Sequence, residues 1–320
     1  MRPSIRFLVV AAVFLSAVSF SREARAERKI GILMFSEEVR YNEAMTGITD
    51  RLREEGFSEP NTRFIVENAG ANKARAAELV KKYSAEKLDL IITLGTSMTI
   101  PVAREIKSVP IVFGVVYDPV VAGIARDWKS SGNNTTGATT KFPLKKVIDI
   151  LREFRKVGRL AVLYTPGEKN SESQLKDLQE IQRRDGIRII PVPLSRKEDV
   201  GQILPDVMRT CDALYVTGSN FVNSHIAAIA DMATKANVVT ITHLDDLVAK
   251  GVLLAVCSDS YKNGRMVGEK AVRILKGANP SSIPIESPKE QYVMINMKTA
   301  RAGRFRIPEE FMKQVSRKVD

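Results

Sequence analysis

Apolar residues in this chain gather in short runs, each followed by a polar loop and then by a stretch in which apolar positions recur every three or four residues. Runs with the period and composition of buried strands read KIGILMF (29–35), RFIVEN (63–68), LDLIITL (88–94) and PIVFGVV (110–116). A second series reads RLAVLYT (159–165), IRIIPVP (187–193), ALYVTG (213–218), VVTIT (238–242) and VLLAVC (252–257). Helical periodicity predicts helices over about 37–55, 72–86, 98–107, 144–157, 171–185, 197–209, 222–236 and 244–250. This βα alternation forces parallel strands, because each helix is the crossover that carries the chain back to the same end of its sheet. The chain is therefore read as α/β, in two loosely repeating halves. The polar stretch SSGNNTTGATTKFP (130–143) is expected to separate them, and YKNGRMVGEKAVRILKG (261–277) to form one more helix, stopped by Gly277. IPIESPKEQYVMIN (283–296) reads as an extended run.

In open parallel sheets, ligands bind where strands end and helices begin. The informative loops are thus FSEEVRYN (35–42), LGTSMT (94–99), VVYDPV (115–120), YTPGEKNSES (164–173), VTGSNFVNS (216–224), THLDD (242–246) and VCSDSYKNG (256–264). They are rich in hydroxyls, amides and aromatic rings, as in the lining of a polar cleft with stacking surface. At 95–97, Gly-Thr-Ser opens a helix, so that backbone N–H groups and the Thr96 and Ser97 hydroxyls can face an anionic group, or simply cap the helix. Asn170 and Ser171 hold the equivalent place in the second half. Arg40 is read either as a bidentate clamp on a carboxylate or as a helix-face arginine. Asp118, before Pro119, can cap a turn or hold a ligand ammonium, and Asp259 carries the same two readings. Phe35, Tyr117, Phe221 and Tyr261 are candidate stacking surfaces.

Composition removes many other chemistries. In 320 residues there are two Cys and two His, too few for a disulfide scaffold or a four-cysteine zinc site. His225 and His243 have no carboxylate or second His at ligand spacing and read as satisfied core or surface histidines. G-x-G-x-x-G after the first strand, G-x-x-x-x-G-K-[ST] and G-x-S-x-G are all missing, so no cofactor, metal or catalytic constellation is expected. An enzymatic reading would have to use Asp118 and Asp259 as an acid–base pair. Cys211 and Cys257 are expected as two unpaired, buried thiols, because one precedes a strand and the other ends one.

Residues 1–26 combine a basic start (MRPSIR), an apolar run over 7–20 and small residues at Ala24 and Ala26, the pattern of a cleavable secretory signal. That segment carries four arginines and one glutamate of the chain's 49 basic and 37 acidic residues, so the remainder has a net charge of +9. Those charges alternate in sign along helices, as in RLREEGF and LREFRKVGR. They form no basic block with interleaved aromatics, and nucleic acid is not an expected partner. A soluble, exported protein is the expectation.

Several motifs in order then resemble one family: AMTGITDRLREEGF, LDLIITLGTSMTIPVAREIKSVPIVFGVVYDPVVAGI, VLYTPGEKNSESQLKDLQ and, most specific, SYKNGRMVGEKAVRILKGANPSSIPIESPKEQYVMINMKTARAGRFRIPEEF. The chain is similar to the substrate-binding proteins of the tryptophan/tyrosine type that serve bacterial ABC importers. The resemblance implies the type I periplasmic binding protein fold, two Rossmann-like lobes joined by a three-crossing hinge. The implied N-terminal lobe is 27–143 plus 260–287, and the C-terminal lobe 144–259 plus 288–320. It also implies a non-enzymatic monomer without cofactor that holds a small molecule and works with a permease and ATPase; a sensor that reports to a membrane receptor is the alternative. Site residues implied by position are Thr96, Ser97, Asp118, Asn170, Ser171, Asp259 and Tyr261. In the TGSN loop (217–220), Ser219 and Asn220 stand where the family often has an acidic residue before Asn, so the usual ammonium partner is missing there. A zwitterionic ligand would then need Asp118 or Asp259, and a neutral or anionic one would need neither.

Overall fold

The computed structural model describes residues 27–320; the expected signal segment lies outside them. The first half contributes β1 (Arg28–Met34), α1 (Val39–Glu54), β2 (Thr62–Asn68), α2 (Lys73–Ala85), β3 (Leu90–Leu94), α3 (Thr96–Glu105), β4 (Ile111–Val116) and β5 (Thr135–Thr139). These strands form one parallel sheet in the order β2-β1-β3-β4-β5. The chain then crosses to α4 (Lys145–Phe154), β6 (Arg159–Tyr164), α5 (Lys169–Asp185), β7 (Arg188–Pro193), α6 (Lys197–Thr210) and β8 (Ala213–Val216). It continues through α7 (Asn220–Ser224), α8 (Ile226–Lys235), β9 (Val239–Thr242), α9 (Asp246–Ala249) and β10 (Leu254–Cys257). It returns to the first sheet as α10 (Ser260–Leu275) and crosses a third time to β11 (Tyr292–Asn296), α11 (Met297–Ala302), α12 (Glu309–Met312) and β12 (Val315–Val319). The second sheet has seven strands, β12-β11-β10-β9-β8-β6-β7.

Helices form where apolar positions recur on one face. In α4 the buried residues are Val147, Ile148, Ile150, Leu151 and Phe154, and they join the core beneath β6, β8 and β9. Gly186, with φ 65°, ends α5 in the left-handed conformation that glycine adopts without penalty. The strands are buried on both faces, which explains their continuous apolar runs.

Four features depart from the expectation. Within the polar stretch 130–143 lies β5, whose five residues TTGAT are all buried beside β4. A side chain at Gly137 would strike the Phe113 carbonyl and ring, so this edge strand is made of hydroxyls and a glycine that let the backbone approach. The segment read as one helix over 222–236 breaks at His225 into α7 and α8. β11 pairs antiparallel with β10, because the chain re-enters the sheet from the other lobe and not through a local crossover. Finally, α11, α12 and β12 follow from a tail whose apolar positions are too sparse to announce them.

The return helix α10 lies against α1 with backbone touching backbone. A β-carbon on Gly264 would sit 2.0 Å from the Ala44 carbonyl oxygen, and one on Gly47 2.2 Å from that of Tyr261. Ion pairs from Arg51 to Glu269 and from Arg265 to Glu54 flank this seam. Cys211 and Cys257 are both unpaired and buried.

Candidate functional site

The carboxyl ends of the two sheets face each other, and side chains from both close a narrow cavity of about 20 Å³, room for about one water. From the first half it is lined by Arg40 and Tyr41 at the start of α1, Thr96 and Ser97 at the start of α3, Val115 and Tyr117 at the end of β4, and Thr140. From the second come Asn170 and Gln174 on α5, Gly218 and Asn220 around the start of α7, and His243 and Leu244 after β9. The lobes are shut: Asn220 donates through Nδ2 to Ser97 Oγ (3.1 Å), and Tyr117 Oη donates to Asp177 Oδ2 on α5 (2.8 Å).

A buried ion pair spans the same gap. Arg40, 4% exposed, places one guanidinium nitrogen 2.7 and 2.9 Å from the two oxygens of Asp246. Burial works against the charge on Arg40, but the neighbouring carboxylate outweighs it and holds the group more firmly protonated than an ordinary arginine.

The α3 end of the cavity is built by its glycine. Gly95 has φ 95°, and a side chain there would collide with the Tyr41 hydroxyl at 2.5 Å; its bareness lets Tyr41 lie over the helix start. Behind it, Thr99 Oγ1 donates to the Gly95 carbonyl and meets Thr93 Oγ1, so the turn is pinned from the sheet side. Thr96 is 5% exposed and its hydroxyl has no protein partner, nor has Asn170 Oδ1. Val115 carries φ 54° where the β4–β5 register shifts, a strained conformation for a β-branched residue at the cavity wall.

On the opposite wall runs a hydrogen-bond chain. Gly218 N donates to Gln174 Oε1, which turns the amide nitrogen of Gln174 toward His243 Nε2 (3.4 Å). That nitrogen then accepts, so the proton is assigned to Nδ1, which donates to Tyr215 Oη at 3.0 Å. Burial, with the Arg40 charge adding to it, lowers the His243 pKa from 6.5 to about 3, so the ring is neutral. Because the folded value lies below the unfolded one, the unfolded chain takes up a proton that the folded chain refuses. Stability should fall as pH drops from about 6.5 toward 3, at up to about 1.4 kcal/mol per pH unit. We expect the melting temperature to decline between pH 7 and 5 and the decline to flatten in His243→Gln; equal slopes in the two proteins would contradict this.

Of the residues singled out in the sequence, the structure brings Arg40, Thr96, Ser97, Tyr117, Asn170 and Asn220 to the cavity and leaves the others outside its wall. Phe35 is packed into the core with Leu33 and Met98. Ser171 is wholly buried, its hydroxyl spent on the Thr165 and Glu168 carbonyls at the base of α5. Ser219 caps α7 and shares a hydrogen bond with Thr165. Asp118 takes the capping reading: Oδ1 accepts from Val120 N and Val121 N, and Oδ2 faces Lys141 Nζ at 2.7 Å. Asp259 likewise caps α10 and pairs with Arg317. Tyr261 turns away to donate to Asp50, and Phe221 packs at a tilt against the His225 ring.

Sequence reasoning missed Tyr41, Val115, Thr140, Gln174, Gly218, His243 and Leu244. Gln174 was within reach, standing one helical turn after Asn170 on the same face. His243 keeps the reading of a satisfied core histidine, buried and hydrogen-bonded through both ring nitrogens, and lines the cavity as well because it follows β9 at the carboxyl edge. Glu168 was also missed. This carboxylate, 8% exposed, accepts from Asn220 N (2.7 Å), Asn220 Nδ2 (2.8 Å) and Phe221 N (3.3 Å), and so occupies the neighbourhood where the acidic residue before Asn was missed at Ser219.

Two α/β lobes, a three-stranded hinge path and a polar cavity at the facing carboxyl edges define a type I periplasmic binding protein fold. The match of residues 29–319 to the model for ABC transporter substrate binding proteins shows that the chain belongs to that family. It is 24% identical over 282 residues to a tyrosine-binding protein of Clostridioides difficile, covering 88% of this chain and 82% of the relative. Among solved structures, the ABC domain from Streptococcus pneumonia in complex with L-Trp superposes with a TM-score of 0.86 at 23% identity, over 92% of this chain and 100% of that one. A ligand-free, open substrate-binding protein with adhesive properties from Clostridium difficile gives 0.73 at 26% identity, over 92% and 100%. The lower score against an open form accords with the shut lobes seen here.

Proposed function

We propose that this protein is the periplasmic solute-binding component of an ABC importer, a monomer without catalytic activity. In this reading it captures an aromatic or branched-chain amino acid, or a related metabolite, between its lobes. Residues 27–143 with 260–287 and residues 144–259 with 288–320 are the bodies that move. A cavity of about 20 Å³ cannot admit such a molecule, so the lobes must part for entry and close again, less tightly, around it. A ligand that touches both walls shifts the population toward the shut form by its differential affinity for that form.

The observation that carries this reading is the pair of polar atoms without a protein partner, Thr96 Oγ1 and Asn170 Oδ1, one from each half and both in the same cavity wall. A buried polar atom without a protein partner costs folding up to about 1–3 kcal/mol and is free to bond a ligand. Thr96→Val should therefore raise the melting temperature slightly and weaken ligand binding tenfold or more. Loss of both stability and affinity would mark Thr96 as merely structural. Small molecules that co-purify, identified by mass spectrometry and returned unchanged after denaturation, test the binding role. Uptake of the same molecule that depends on this chain tests the importer role.

A further inference from the structure

Resting on that solute-binding reading, we infer that the cleft takes a small organic acid with an apolar or aromatic body and no ammonium group: the hydroxy- or keto-acid counterpart of an amino acid, not the amino acid. Charge decides between them. Among the described residues, no carboxylate lines the cavity, and Arg40 is the one charged side chain in its wall. The carboxylates that stand behind the wall are each committed. Asp246 is held through both oxygens by Arg40. Glu168 is filled by amide and side-chain donors at the start of α7. Asp118 and Asp177 share Lys141, and Asp177 also accepts from Tyr117 Oη.

What does face inward is mostly a set of donors. The first turn of α3, a ten-residue helix, presents its opening amides beside the Thr96 hydroxyl, which has no protein partner, while the Arg40 charge is balanced by Asp246 and Glu38. The open acceptor is the neutral Asn170 Oδ1, which suits a hydroxyl or ring N–H. A carboxylate finds partners here, whereas an ammonium would be buried with no uncommitted carboxylate in the wall to pair it, which burial penalises heavily. Tyr41, Tyr117, Val115 and Leu244 supply the apolar wall for the remainder of the ligand.

The experiment is calorimetric titration, at pH 7.5, of the full mature chain. L-tyrosine, L-tryptophan and L-leucine are compared with their 2-hydroxy and 2-oxo counterparts, and myo-inositol is included as a neutral polyol. At least one deaminated acid should bind ten or more times tighter than its amino acid. Amino acids binding as tightly or more tightly would overturn the inference and leave the solute-binding reading intact, and so would binding of the polyol alone. A chain that binds no compound of any class would fail both. Asn170→Asp supplies an independent arm, because it sets a carboxylate in the wall. It should weaken the acid and strengthen the amino acid, narrowing their ratio at least tenfold; equal losses for both would refute the charge argument.

Discussion

Asp246→Asn should drive the lobes apart. In the shut form the guanidinium of Arg40 is nearly sealed from solvent and has both oxygens of Asp246 as its partners, with Glu38 more distant at 3.5 Å. Removing Asp246 leaves the buried charge with only the more distant Glu38, at a cost of up to about 3–5 kcal/mol. Because the pair joins α1 of one lobe to α9 of the other, opening solvates Arg40, so the cost falls on closure and not on folding. The shut population should drop by up to about two to three and a half orders of magnitude relative to the open one. Small-angle scattering would register this as a larger radius of gyration, with a melting temperature that changes far less than a core defect of that size would demand. Arg40→Met combined with Asp246→Leu should restore closure, since an apolar pair of similar volume carries no desolvation penalty. An unaltered scattering curve for Asp246→Asn would refute the latch.

Gly264→Ala should produce the opposite pattern, a loss of folding stability with little change in lobe equilibrium. The added methyl would stand 2.0 Å from the Ala44 carbonyl oxygen, a backbone atom that no rotamer change can move. Forcing α10 away from α1 is overpacking of the kind that costs about 1–3 kcal/mol, and more where backbone must shift. We expect a fall of several degrees in melting temperature, measured by differential scanning calorimetry. Gly47→Ala, on the facing helix, should act alike, and the double variant should cost less than the sum of the two because both displace the same seam. Full stability in either single variant would show that the seam is looser than its geometry indicates.

The strands and helices that carry the site were legible because their pattern is local. β1, β3, β4, β6, β8 and β9 are continuous apolar runs, and the loops after them are the cavity's loops, whereas the loop after β10 stays outside it. By contrast, β5 was hidden, since threonines and a glycine carry no apolar signature even when wholly buried. Side-chain direction was the other obscure quantity. Thr96 and Phe35 both lie at the carboxyl edge of the first sheet, yet one faces the cavity and the other the core. Asp118 and Arg40 each admitted two roles, and the choice fell to partners 23 and 206 residues away, Lys141 and Asp246.

Periodicity along the chain thus points to the α/β alternation, the two halves and the sheet edge where the cavity lies, since strand and helix periods and crossover direction depend on neighbours in sequence. Which carboxylates remain free, which hydroxyls go unpartnered and which arginine latches the lobes belong to the folded molecule alone. Those are properties of pairs drawn from different lobes, and a buried group's charge and hydrogen-bond balance exist only once both members are in place.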